Sequence, residues 1–69
     1  MTINEFEKIC YDFATIIREA EGGVGEDGQD IVLAAGEIMK EAIVEITNTG
    51  VTNGQVMIMI KNAFDKLYT

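Results

Sequence analysis

The stretch Gly23-Val24-Gly25-Glu26-Asp27-Gly28 has the spacing Gly-x-Gly-x-x-Gly. In nucleotide-binding folds such glycines let the backbone approach a pyrophosphate at a helix N-terminus. That chemistry needs a strand before the loop and a parallel sheet around it. Here a helical pattern precedes the loop, the chain is too short for a doubly wound sheet, and Glu26 and Asp27 repel phosphate. Glu26, Asp27 and Asp30 also raise calcium. An EF-hand needs oxygen ligands at loop positions 1, 3 and 5, Gly at 6 and Glu at 12. With Gly28 as the sixth residue, Gly23, Gly25 and Ala34 fall where ligands belong. Weak, non-specific calcium binding is the most this loop offers. Otherwise it is a helix-to-helix connection whose acids favour the start of the next helix.

Two further features invite a chemical reading. Glu37 and Glu41 form an i,i+4 carboxylate pair, but acid-base or metal work needs more inward-facing ligands, and their face is polar. Cys10 is the only thiol and lies in an apolar arc, as a buried structural cysteine does. The chain has no histidine, serine, proline or tryptophan. It therefore lacks the commonest general base, any serine nucleophile, and the serine attachment point of an acidic carrier protein. A single cysteine with no histidine argues against structural zinc. The expectation is a non-enzyme with no cofactor and no metal.

Charge narrows the partners. Twelve acidic residues against five basic ones give a net charge of -7. Nucleic acid and anionic membrane surfaces are disfavoured, because both are held by Lys and Arg. A basic protein surface is compatible. No basic segment followed by an apolar stretch opens the chain, and no apolar run nears the roughly 20 residues of a membrane span. The expected compartment is the cytoplasm, with Cys10 reduced.

The elements that would position these residues are helices. Thr2-Ile3-Asn4-Glu5 is a capping box, Thr-x-x-Glu. Ile3, Phe6, Ile9, Cys10, Phe13, Ile16, Ile17 and Ala20 then fill an arc of roughly 160° at 100° per residue, and Gly22 and Gly23 end the helix. A second helix carries Ile31, Val32, Ala35, Ile38, Met39, Ala42, Ile43 and Ile46 on one face, with Asp30, Glu37, Glu41 and Glu45 opposite. Gly36 interrupts the apolar face, where close helix approach would explain it. Gly50 reads as a left-handed helix stop with Val51 packing back, and Thr52-Asn53-Gly54-Gln55 is a second capping box. The third helix presents Val56, Met57, Ile60, Ala63, Phe64 and Leu67 as its core face. The reading is all-α: one domain over residues 1–69, a three-helix bundle with helices at about 3–21, 28–48 and 53–67. Helices 2 and 3 are expected to be its stronger apolar elements, and assembly as a homo-oligomer is expected.

That last expectation comes from surplus apolar residues. A chain of 69 residues buries only about 60% of its unfolded surface and needs an added support, and one cysteine supplies no internal disulfide. Leu33 and Val44 project beside the acidic stripe, Ile58 projects into the polar side of helix 3, and Met59 sits at its edge. These four are the expected self-association residues. The leading functional expectation is a self-associating acidic binding protein that regulates or inhibits another macromolecule. One alternative is an acidic nucleic-acid mimic of phage or mobile-element type. It would present Asp30, Glu37, Glu41 and Glu45 to a basic protein. Another is a small-ligand sequestering protein with an inter-subunit pocket lined by Met57, Met59 and Phe64. Anionic ligands would require Lys40, Lys61 or Lys66 to converge there.

Overall fold

The computed structural model describes residues 1–20 and 26–68. They form α1 (Ile3–Ala20), α2 (Glu26–Asn48) and α3 (Asn53–Tyr68), and no strand occurs among them. The Gly22 and Gly23 stop and the first half of the Gly-x-Gly-x-x-Gly stretch, Gly23 to Gly25, lie outside the described residues. The second helix begins at Glu26, two residues before the expected boundary, and the third continues one residue further, to Tyr68.

Both capping boxes form. The Thr2 amide donates to Glu5 Oε1 at 3.2 Å, and the Glu5 amide donates to Thr2 Oγ1 at 3.1 Å. The second box repeats this with Gln55. The Thr52 amide reaches Gln55 Oε1 at 3.0 Å, and the Gln55 amide reaches Thr52 Oγ1 at 3.2 Å. Each box satisfies two backbone amides at a helix start that would otherwise lack partners. The α2 terminus closes as its sequence requires. Gly50 adopts φ 105°, a backbone open to glycine without a Cβ clash. Its amide donates to the Thr47 carbonyl at 3.1 Å, and Val51 packs against the core.

Helix α1 is the hub. It packs against both α2 and α3, which barely touch each other. Ile3 shares a groove with Val51 and Gln55, Phe13 meets Phe64, and Arg18 lies over Tyr68. Contacts therefore advance together along both chains, so α1 and α3 run parallel. The two rings Phe13 and Phe64 meet edge to face at 6.4 Å, and Phe64 stacks on Tyr68 at 6.4 Å.

The core draws on all three helices, with Phe6, Cys10 and Ala14 from α1, Ala35, Met39, Ala42 and Ile46 from α2, and Val56 and Ala63 from α3. The wholly buried large side chains are Phe6 and Cys10 of α1 and Ile46 of α2. Around them pack Ala14, Met39, Ala42, Val56 and Ala63. Helix α2 buries Ala35, Met39, Ala42 and Ile46, spaced i, i+4, i+7 and i+11. On a wheel these span only about 60°, the stripe one neighbouring helix covers. Ile31 and Ile38 were expected in the core; they flank that stripe and are exposed. Met57 was expected in the core of helix 3 and is 71% exposed. Met59 lies half-buried against the core rather than at a free edge. Gly36 is not explained by close approach, since a Cβ built there meets nothing within 4 Å.

The chain is consequently more open than its size requires. Its Cα radius of gyration is 12.4 Å, against about 11 Å for a compact domain of this length. Its accessible surface is 4883 Å², against about 4,300 Å² for a folded monomer of 7.6 kDa. No helix is long and apolar enough to cross a membrane among the described residues.

Candidate interaction surfaces

Three surfaces can be built from the residues upward. The first lies between α1 and α2. The buried stripe of α2 is narrow, and apolar residues on its flank are exposed. Ile31 and Ile38, one heptad apart, stand 58% and 60% exposed. Beside Ile38 runs a groove of about 260 Å³ lined by Ile9, Asp12, Phe13 and Ile16 of α1 and by Ala35 and Ile38 of α2. Asp12 is its one ionisable lining group.

The second lies between α1 and α3. One groove there, of about 240 Å³, combines Ile3, Val51, Ile58 and Met59 with Glu7 and Gln55. A neighbouring and more polar groove of about 380 Å³ is lined by Glu7, Tyr11, Met59, Asn62, Ala63, Asp65 and Lys66. Lys61 bonds Asp65 at 2.9 Å, and that hydrogen bond raises the lysine's pKa from its ordinary value. Both side chains are largely in solvent, so the pair contributes little to stability.

The third is the outer side of α2. Asp30, Glu37, Glu41 and Glu45 are all exposed, and none is in an ion pair with a described residue. Leu33 (68% exposed) and Val44 flank this stripe. Eleven residues separate them, about 16 Å of helix, with Glu37 and Lys40 between. The four residues expected to self-associate are thus not gathered into one patch. Leu33 and Val44 sit on α2, Ile58 belongs to the α1–α3 groove, and Met59 is half-buried. Ile31, Ile38 and Met57 were missed as surface residues. Of the residues expected to line an inter-subunit pocket, Met57 is exposed while Met59 and Phe64 pack on the core.

The interior carries a single reactive side chain. Cys10 is buried among Phe6, Ala14 and Ile46 in the core cluster, and burial pushes its thiol up to about 11, with the Glu7 charge adding to the rise. The thiolate is the reactive form, so this cysteine is chemically quiet. Among the described residues, no group of three or more His, Cys, Asp or Glu is placed to hold a metal. No family model, curated protein or solved structure gives a significant match to this chain.

Proposed function

We propose that this chain is a non-enzymatic, self-associating binding protein whose assembled form regulates or inhibits another macromolecule. The observation that carries the self-association is surplus apolar surface. Among the described residues, nine large hydrophobic side chains are exposed, whereas the largest side chains wholly enclosed are Phe6, Ile46 and Cys10. Sedimentation equilibrium tests this. Association at tens of micromolar, an ordinary oligomer range, is expected; a mass of 7.6 kDa throughout refutes it.

The exposed acids of α2, none of them ion-paired with a described residue, favour a second reading, an acidic mimic that blocks a basic protein. Charge density ranks it second. Asp30 to Glu45 is about 22 Å of helix, so the four acids supply one charge per roughly 6–7 Å. Duplex DNA supplies one per about 1.7 Å. Replacing Glu37, Glu41 and Glu45 by Gln should abolish salt-sensitive capture of a basic partner. Unchanged capture removes this reading.

A further inference from the structure

We propose that Asn53 is a modification site, where the Gly54 amide nitrogen displaces the side-chain nitrogen of Asn53 and the Thr52–Gln55 capping box gates the step. Self-association plays no part in it. The asparagines Asn4, Asn48, Asn53 and Asn62 are followed by Glu5, Thr49, Gly54 and Ala63. Only after Asn53 does the attacking nitrogen belong to a residue without a Cβ, so it is unshielded and its backbone turns freely. Asn53 and Gly54 are both exposed. Gly54 is the second residue of α3, where a helix leaves its amides unpaired. Among the described residues, neither that amide nor the Asn53 side chain has a hydrogen-bond partner. In the step, a bond forms between the Gly54 nitrogen and Asn53 Cγ, the Cγ–Nδ2 bond breaks, and ammonia leaves with the Gly54 proton. Water then opens the cyclic imide. Opening at Cγ leaves aspartate. Opening at the backbone carbonyl leaves isoaspartate, with one extra carbon in the main chain.

The fold controls both the rate and the outcome. Helical backbone at position 53 turns the Gly54 nitrogen away from Cγ, so the first turn of α3 must open before the ring closes. Helix ends open at little cost, and here two bonds resist it, from the Thr52 amide to Gln55 Oε1 and from the Gln55 amide to Thr52 Oγ1. Aspartate at the first position of α3 suits the helix dipole. Isoaspartate lengthens the main chain between Thr52 and Gln55, so the box no longer closes beside the buried Val56.

Peptide mapping by mass spectrometry of protein aged in mildly alkaline buffer, with and without urea, tests this. Asn53 should convert faster than Asn4, Asn48 and Asn62 in both. Thr52→Ala should speed conversion at Asn53 about fivefold without urea, the equivalent of about 1 kcal/mol of cap, and leave it unchanged in urea. Gln55→Ala cuts the other bond of the box and should act likewise. Gly54→Ala should bring Asn53 in urea down to the rate of Asn62, which precedes alanine. A Cβ at position 54 meets only Thr52 Oγ1, at 3.9 Å, so the fold accommodates this variant. Native conversion at Asn53 no faster than at the other three asparagines overturns the site, whatever the variants do. Wild-type rates at Asn53 in both Thr52→Ala and Gln55→Ala overturn the gating.

Discussion

Gly36 provides a direct check on the open packing of α2. It sits inside a 23-residue helix, and a Cβ built there meets nothing within 4 Å. Its φ is not in the left-handed region that only glycine tolerates. Glycine therefore contributes only its penalty in a helix interior, about 1 kcal/mol relative to alanine. Gly36→Ala should stabilise the chain by about 0.5–1 kcal/mol, partly by restricting the unfolded state. For a domain of 60–100 residues, 1 kcal/mol corresponds to a rise in Tm of about 4–8 °C. Thermal and urea unfolding, followed by circular dichroism at several protein concentrations, would measure it. A loss of stability would show that another helix approaches position 36 closely, and would refute the description of α2 as covered on one narrow stripe.

Three other outcomes follow from local chemistry. Thr52→Ala removes the hydroxyl that accepts the Gln55 amide and should destabilise the chain by about 1 kcal/mol in urea unfolding, whereas Thr52→Ser should recover most of it. Glu5 is held below its ordinary 4.5, first by its bond from the Thr2 backbone and then by the Thr2 hydroxyl. A lowered folded value gives stability that is present above pH 4.5 and lost as pH falls through the depressed value. The advantage of wild type over Glu5→Gln should therefore fade on acidification below that point, while a pH-independent difference would show that the Glu5 charge contributes nothing. With its thiol near 11, Cys10 is roughly one part in a thousand thiolate at pH 8. Alkylation should be slow in the folded chain and fast in denaturant, and reductant should not change the oligomer; fast labelling of the native protein would place Cys10 outside the core.

The helix ends were legible in the sequence because their chemistry is local. Thr2 with Glu5, Thr52 with Gln55, and Gly50 each settle a terminus through bonds spanning three or four residues. The exposed positions of Leu33, Val44 and Ile58 also followed from angular spacing alone. What spacing could not provide was the number of neighbours each helix has. A wheel assigns Ile31, Ile38 and Met57 to a core face on the assumption that two helices cover it. Helices α2 and α3 barely meet, so each is covered mainly by α1, and the buried arc of α2 contracts to the stripe of Ala35, Met39, Ala42 and Ile46. Helix α1 has two neighbours, and its wide apolar arc is accordingly buried or half-buried over most of its length, with Ile3 at its start exposed. The exposure of Ile31 and Ile38 was hidden for the same reason, since both look like core until the coverage of α2 is known.

Self-association through apolar surface is decided by how the native mass depends on salt. Two copies at -7 each repel, while the proposed contact is apolar. Raising salt from about 50 mM to 500 mM shortens the screening length from roughly 14 Å to 4 Å, and apolar contact is not weakened by it. The average mass should therefore rise with salt toward two chains or more. A mass that stays at 7.6 kDa at every salt concentration, or an oligomer that dissociates as salt is raised, would contradict it.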